Sequence, residues 1–206
     1  MGIIKNEIPI LEFDTDTEAV IMPTHEHFDL KLPKKAVYAF LGEHVDNYAK
    51  SHECKQVATF VSETKLYPVY VTEYKGEEIC LCQAPVGAAA AAPSRYVDID
   101  AIALKAIEET LSEHGLKYIE VMTWSTDGFY RETKEKVAYR KAEGCAVVEM
   151  ECSALAACAK MRGAVFGEIL FTADSLADVE KYDERNWGGD SFAYALELCL
   201  DAAVKF

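Results

Sequence analysis

The chain has 206 residues, half of them apolar, and a formal charge of −14 at pH 7. This length lies near the upper end of the usual single-domain range of roughly 100 to 200 residues, and the negative charge, which no stripe of lysine and arginine offsets, argues against nucleic acid as a partner. No apolar run approaches the roughly 20 residues of a membrane span, and residues 1–7 lack a signal-peptide core, so we expect a cytoplasmic protein without a membrane partner.

Strand patterns dominate the N-terminal half of the chain. Runs rich in β-branched and aromatic residues predict strands at 19–22, 36–41, 57–61, 69–74 and 78–82. The last two strands flank Lys75-Gly76-Glu77, a turn with glycine at its centre that predicts a hairpin. A short helix is expected at 43–53, between the second and the third strand.

The C-terminal half alternates helices with strands. Apolar spacing predicts helices at 98–114, 149–162 and 192–204, and strands at 118–124 and 165–173. Gly115 and Gly163 are placed as the stops of the first two helices, and the alanine run at 88–92 is most simply the start of a further helix. This order predicts an α/β fold in which residues 1–206 form a single domain, with a central mixed or mainly parallel sheet flanked by helices.

The cysteines form an odd set without CxxC pairs or neighbouring histidines, so we expect neither a metal site nor a disulfide framework. They are Cys54, Cys80, Cys82, Cys145, Cys152, Cys158 and Cys199. A reduced thiol within an apolar pattern behaves as a small hydrophobe. Cys80 and Cys82 alternate along one strand, so both sulfur atoms are expected on its core face.

Three acidic residues stand where a parallel α/β fold places its ligands, at helix starts and at the carboxyl ends of strands. Glu149 and Glu151 open the helix at 149–162, and Asp174 follows the strand at 165–173. A simpler interpretation is that the two glutamates complement the helix dipole and that Asp174 opens a polar loop. The pattern by itself favours this simpler interpretation.

Three blocks of sequence between residues 125 and 174 favour a functional role for these acidic residues instead. They are Ser125-Thr126-Asp127-Gly128-Phe129-Tyr130, Val148-Glu149-Met150-Glu151-Cys152-Ser153-Ala154-Leu155 continuing to Arg162-Gly163, and Leu170-Phe171-Thr172-Ala173-Asp174. Together they resemble the signature of the nucleoside phosphorylase superfamily, which includes purine nucleoside and uridine phosphorylases. Phe129 precedes Glu149 by 20 residues and Glu151 precedes Asp174 by 23, and both spacings agree with the purine-type members.

The resemblance implies a role for each block in cleaving the N-glycosidic bond of a nucleoside. Glu151 would grip the sugar hydroxyls and stabilise the positive charge of an oxocarbenium-like transition state. Asp174 would be the acid that protonates N7 of a purine leaving group. Phe129 would stack on the base, Met150 would pack against the sugar, and Glu149 would also bind the substrate, although both apolar residues would also suit a core.

Phosphate binding departs from the family pattern. Members hold phosphate with a Gly-Asp-Pro-x-Arg loop after the first strand, whereas this chain has Leu41-Gly42-Glu43-His44-Val45-Asp46 there, with Asp46 in the place of the arginine. Lys65 is the best remaining candidate, as the cation that a neighbouring subunit lends to the phosphate site. The resemblance therefore implies a homo-oligomer, either a dimer or a hexamer.

A second departure lies at the Ala92-Pro93 junction. In the family, the helix that starts in the alanine run leads into a central strand, a glycine-rich turn and a second phosphate loop with an arginine. Either these parts are deleted or a central segment is unseen. We favour the unseen segment, because deleting the strand would expose apolar surface at a cost of roughly 25 cal/mol per Å².

The resemblance implies a purine-salvage pentosyltransferase that uses phosphate as co-substrate and needs no cofactor. It would convert a nucleoside, preferably a purine nucleoside, to the free base and ribose 1-phosphate. A hydrolytic nucleosidase is the runner-up, because water would dispense with the missing arginines. A uridine phosphorylase would need glutamine and arginine where Thr133 and Glu135 stand. A binding protein without catalysis would give no reason for Asp174 to serve as an acid.

Overall fold

A computed structural model describes residues 7, 29–61, 65–84, 97–126 and 128–206. The strands are β1 (Lys35–Ala39), β2 (Lys55–Val61), β3 (Leu66–Tyr74), β4 (Glu77–Gln83), β5 (Met122–Ser125) and β6 (Cys145–Glu149). The helices are α1 (Glu43–Ser51), α2 (Ala101–Glu113), α3 (Lys134–Ala142), α4 (Cys152–Arg162) and α5 (Phe192–Ala203). The chain divides into two compact units. The first unit comprises Met1–Lys31, Gly87–Asp100 and Val121–Glu168, and the second comprises Leu32–Val86, Ala101–Glu120 and Ile169–Phe206.

The second unit contains a mixed four-stranded sheet with the order β1-β4-β3-β2. Strand β1 runs parallel to β4, whereas β3 is antiparallel to both β4 and β2. The predicted hairpin is confirmed, because Lys75 and Gly76 form a two-residue turn with φ values of 49° and 84°. Two left-handed residues in succession give the turn twist that suits a hairpin. The α/β class with a mixed sheet is therefore as the sequence predicts.

The core of the second unit lies between this sheet and helices α1 and α5. Ile79 and Leu81 of β4 and Leu200 of α5 are fully buried in it. Because neighbouring residues of a strand point to opposite faces, Cys80 and Cys82 lie on the other face of β4. The two cysteines therefore share one face as predicted, but the face that packs into this core is filled by Ile79 and Leu81, and Cys80 is 7% exposed and Cys82 half-buried on the opposite face.

The first unit contains a two-stranded parallel sheet of β5 and β6, with α3 between them in the chain. Thr133 caps α3 by accepting the backbone N–H of Lys136 over 3.3 Å. Helix α4 follows β6 and ends, as predicted, at Gly163. The φ of Gly163 is 68°, in the left-handed region where glycine carries no Cβ penalty.

Most predicted elements are confirmed within a few residues. The confirmed strands are 36–41, 57–61, 69–74 and 78–82, and the confirmed helices are 43–53, 98–114, 149–162 and 192–204. Neither α3 nor β6 was predicted. The predicted strand at 19–22, the alanine run and the Ala92-Pro93 junction lie outside the described residues. The assignment of the whole chain to a single domain stays a prediction.

The strand predicted at 165–173 is wrong. Residues 164–172 belong to no ladder with any strand in the described part of the chain. Ile169 packs instead against apolar residues of α2 and α5, and Phe171 packs against the core of the second unit. An apolar run of this length can either pair in a sheet or pack against helices, and its periodicity does not distinguish the two. The strand predicted at 118–124 forms, but it is shorter than predicted, because it begins only at Met122.

Candidate functional site

The carboxyl ends of β5 and β6 lie side by side in the first unit. Ser125 is the last residue of β5 and the register partner of Glu149, the last residue of β6. The backbone N–H of Thr126 donates to the carbonyl oxygen of Glu149 over 2.9 Å. This is the kind of sheet edge at which parallel α/β proteins bind their ligands.

The side chain of Glu149 holds the start of α4. Its Oε2 accepts the N–H groups of Glu151 and Cys152, each over 2.5 Å. Its Oε1 accepts the hydroxyl hydrogen of Ser125, whose oxygen in turn accepts the N–H of Ser153 over 3.0 Å. A helix start leaves such N–H groups without intrahelical partners, and a carboxylate beside them complements the dipole. Glu149 therefore acts as the cap of α4, and its predicted contact with a substrate stays a prediction.

Glu151 occupies the N-cap position of α4 and is only 9% exposed. Its carbonyl oxygen accepts the N–H groups of Ala154 and Leu155 over 3.1 and 3.0 Å. Its side chain makes no capping hydrogen bond to the helix. Glu149 caps the helix instead and holds the backbone N–H of Glu151 at the sheet edge.

A third carboxyl group, Glu168, belongs to the same cluster and was not predicted from the sequence. Burial raises the pKa of Glu168 to about 7, the hydrogen bond from the Cys152 thiol lowers it, and the charges of Glu149 and Glu151 raise it. Burial also raises the pKa of Cys152, with Glu168 and Glu149 adding to the effect. A glutamate inside the apolar run at 165–173 was the signal that could have identified this residue.

Phe129 lies in a short 3₁₀ turn, Phe129–Arg131, that follows β5. Its ring is 51% exposed and lies 4.1 Å from the ring of Tyr130, measured between centroids. Met150 stands between the two glutamates and is half-buried. An exposed ring is accessible for stacking on a base, but stacking by Phe129 and packing by Met150 stay predictions.

A sequence model of the Phosphorylase superfamily matches residues 92–205, more than half of the chain. The chain belongs to the phosphorylase superfamily. Its fold is similar to that of purine nucleoside phosphorylase from Toxoplasma gondii in complex with immucillin-H, at a TM-score of 0.63 and 14% identity, covering 84% of this chain and 92% of that chain. These two findings confirm the resemblance on which the sequence predictions rest.

Two further solved structures extend the comparison. Uridine phosphorylase from Vibrio fischeri ES114 is 16% identical, with a TM-score of 0.62 and coverage of 85% of this chain and 94% of that chain. AMP nucleosidase from Bacteroides thetaiotaomicron VPI-5482 is 14% identical, with a TM-score of 0.56 and coverage of 83% and 87%. At these identities the likeness shows the fold, and the superfamily fold therefore includes both phosphorylases and nucleosidases.

Two predicted site residues of this phosphorylase-superfamily chain belong to the second unit. Lys65 donates to Oε1 of Gln83 over 3.0 Å, and its ammonium group lies 5.4 Å from the ring centroid of Tyr67. Asp174 accepts the hydroxyl hydrogen of Tyr182 over 3.0 Å. Phe129, Glu149, Met150 and Glu151 all belong to the first unit.

The segment that replaces the superfamily phosphate loop has a structural role in the second unit. Asp46, which the sequence resemblance places opposite the arginine of the phosphate loop, accepts the hydroxyl hydrogen of Tyr70 over 2.9 Å and so ties α1 to β3. Burial raises the pKa of Tyr70 to about 12, and the hydrogen bond and the charge of Asp46 contribute to the rise. A carboxylate at this position repels an anion, which agrees with the absence of the phosphate-loop motif from this segment of the sequence.

The described ranges contain neither a group of metal-binding side chains nor a membrane-spanning helix. Within those ranges, no group of three or more His, Cys, Asp and Glu side chains is placed to hold a metal ion. Among the same residues, no helix has both the length and the apolar character needed to cross a membrane.

Proposed function

We propose that this chain cleaves the N-glycosidic bond of a purine nucleoside with phosphate, giving the free base and ribose 1-phosphate. The reaction needs no cofactor, because phosphate is the co-substrate. The observation that carries the proposal is that Glu151 is buried and that Glu149 holds its backbone N–H at the carboxyl edge of β5 and β6, within the part of the chain that matches the superfamily. Loss of the base builds positive charge on the ribose, and a carboxylate fixed at that edge stabilises it.

Three further residues complete the proposed roles. Asp174 donates the proton that the purine N7 needs in order to leave, Phe129 stacks on the base, and Met150 packs against the sugar. Thr133 stands where a uridine phosphorylase would have a base-reading side chain, and its hydroxyl caps α3. The engaged hydroxyl and the acidic Glu135 support purine over uracil as the base.

Hydrolysis is the second candidate reaction, and a specific observation favours it. Asp46 replaces the arginine of the phosphate loop, so this position offers phosphate no cation. Its carboxylate accepts a hydrogen bond from Tyr70 instead. A nucleosidase uses water in place of phosphate and needs no such cation. The structural likeness to AMP nucleosidase agrees with this alternative.

We also propose that the chain forms a homo-oligomer in which Lys65 of one subunit reaches the phosphate of the next. The apolar residues that flank Lys65 in the chain support this proposal, since Phe60, Val61 and Leu66 are 53%, 70% and 60% exposed. Exposed apolar groups of this kind are typical of interfaces. Light scattering should give a dimer or a larger assembly, and a monomer at working concentration would contradict the proposal.

Incubation with inosine, with and without phosphate, tests the proposed reaction. Phosphorolysis gives hypoxanthine and ribose 1-phosphate only when phosphate is present, whereas hydrolysis gives hypoxanthine and ribose in either buffer. Uridine serves as the competing substrate. Binding of inosine without any release of base would favour the non-catalytic alternative and overturn the proposal.

A further inference from the structure

An open cleft of about 510 Å³ lies in the first unit, beside β5 and α3. Its lining residues are Trp124, Ser125, Thr126, Gly128, Arg131, Lys136 and Arg140. Three of these side chains are cations, and no carboxylate is among the described residues that line the cleft. The described lining of the cleft therefore carries positive charge, on a chain whose formal charge is −14.

Trp124 holds two of the three cations in place. The indole is 7% exposed, and the Lys136 ammonium lies 5.0 Å and the Arg140 guanidinium carbon 5.6 Å from its ring centroid. Contact with an indole face is favourable for each cation. Lys136 and Arg140 are also one turn apart on α3, and like charges at that spacing repel each other. A bound anion would remove this repulsion.

The guanidinium of Arg140 is only partly satisfied by the protein. Its Nη1 pairs with Glu143 over 2.7 Å. Its Nε is buried and has no acceptor within the part of the chain that the structure describes. A buried donor on a charged group is costly to leave without an acceptor, and an oxyanion supplies that acceptor.

We propose that this cleft binds a phosphate group, either as inorganic phosphate or as the phosphomonoester of a larger ligand. Of the three cations, only Arg140 has a carboxylate partner among the described residues, so the excess positive charge suits a dianion. The volume of about 510 Å³ lies within the range of small-molecule sites and exceeds what one phosphate group needs. A sugar or nucleoside attached to the phosphate therefore also fits. The cleft shares Ser125 with the Glu149 cluster but uses neither Lys65 nor the segment around Asp46.

Tryptophan fluorescence provides a direct binding test, because the chain has only two tryptophans. Trp187→Phe leaves Trp124 as the single reporter, and Trp187 is 58% exposed, so its replacement is mild. Titration with inorganic phosphate and with inosine monophosphate should each change the Trp124 emission, and the apparent affinity should fall as chloride is raised. Inosine is the matched ligand without a phosphate group.

Charge variants in this background test the assignment of the cations. Arg131→Gln and Lys136→Gln should each weaken phosphate binding roughly 10- to 100-fold, as expected for the loss of a charge-assisted hydrogen bond. Lys160→Gln removes an exposed positive charge from α4, outside the cleft, and should leave the affinity unchanged. Circular dichroism confirms that each variant is folded, and the exposed Arg131 gives a second variant if Lys136→Gln does not fold.

The outcomes separate the sources of the phosphate group. Binding of both probes supports a site for the free ion, and binding of inosine monophosphate alone supports a phosphomonoester site. No response to either probe up to about 10 mM overturns the proposal, since weaker binding has no function at cellular concentrations. Equal affinities for inosine and inosine monophosphate, without a response to inorganic phosphate, would show that the phosphate group is not bound and would overturn the proposal, as would an equal loss in Lys160→Gln. Because no turnover is measured, failure here leaves the proposed nucleoside cleavage intact.

Discussion

The hydroxyl of Ser125 donates to one carboxylate oxygen of Glu149, whose other oxygen caps α4. One pair of side chains thus joins the ends of two parallel strands to the start of a helix. Glu151 lies at this junction, in the N-cap position. The position of its backbone therefore depends on the Ser125–Glu149 pair.

The first prediction concerns the energy of that pair. Ser125→Ala and Glu149→Gln should each lower the free energy of unfolding by about 1 to 2 kcal/mol, because each weakens the cap of α4. The double variant should cost less than the sum of the two, since both changes break the same network. Urea unfolding measures all three values. Ser112→Ala, an exposed hydroxyl on α2, is the matched control, and strict additivity of the Ser125 and Glu149 changes would contradict the prediction.

The second prediction concerns pH and Glu168. Its pKa rises from 4.5 to about 7 on folding, so between these values the unfolded chain loses a proton that the native chain keeps. Stability should therefore fall as pH rises from about 4.5 to 7, by up to about 3 kcal/mol. Glu168→Gln should remove this slope and stabilise the protein at pH 8. Unfolding curves across the pH range measure the effect, with the exposed Glu120→Gln as control. An unchanged slope in Glu168→Gln would show that another group titrates.

The third prediction concerns Asp201, a buried carboxylate of α5. Burial raises the pKa of Asp201, but the hydrogen bonds from Lys75, His114 and Tyr74 outweigh burial and lower it below 3.8. The contacts measure 2.5, 2.8 and 2.8 Å. A lowered pKa contributes stability that is present above about pH 3.8 and is lost as pH falls through the folded value.

Replacing the carboxylate tests this network. Asp201→Asn should lower the free energy of unfolding at pH 7 by about 1.5 to 3 kcal/mol, because three donors lose a charged acceptor. The loss should shrink toward pH 3. Thermal unfolding at several pH values measures both effects, and Asp190→Asn replaces an exposed aspartate as the control. Equal losses at pH 7 and pH 3 would mean that the charge contributes nothing.

The predictable parts of the fold are those whose apolar residues repeat with a regular spacing or whose turns are marked by glycine. Helix α5 places Leu196 and Leu200 in the core at helical spacing, and Gly76 marks the hairpin of β3 and β4. Helix α3 was missed because Val137 is its one buried residue, which leaves no apolar stripe to detect. The run at 165–173 was misassigned because burial against helices and pairing in a sheet select the same residue types.

The candidate site was predictable only as far as its signature residues. Glu149 and Glu151 were identified, but the division of labour between them, with Glu149 as the cap, depends on hydrogen bonds that the sequence does not encode locally. Glu168 joins the cluster through tertiary packing, 17 residues after Glu151. Lys136 and Arg140 likewise reach the cleft because α3 lies against Trp124.

The fourth prediction concerns Glu151 and the proposed sugar contact. Glu151→Gln should raise KM and lower kcat together, because a contact with the sugar hydroxyls exists in the ground state and strengthens in the transition state. Steady-state kinetics with inosine measures both constants. Glu120→Gln, at an exposed glutamate outside the cluster, is the control. A loss confined to kcat would indicate that Glu151 acts only on the chemical step.

The last prediction concerns Asp174 as the acid for the leaving group. Asp174→Asn should lower kcat for inosine by roughly 10²- to 10⁴-fold with little change in KM, because an amide can hydrogen-bond N7 but cannot deliver a proton. The amide oxygen still accepts the hydroxyl hydrogen of Tyr182, so the local structure should persist. Asp178→Asn, at a nearby exposed aspartate, is the matched control. A nitrophenyl riboside has a leaving group that needs no proton, so the variant should cleave it at nearly the rate of the unaltered protein. If the variant is as impaired on that substrate as on inosine, Asp174 has a structural role and is not the acid.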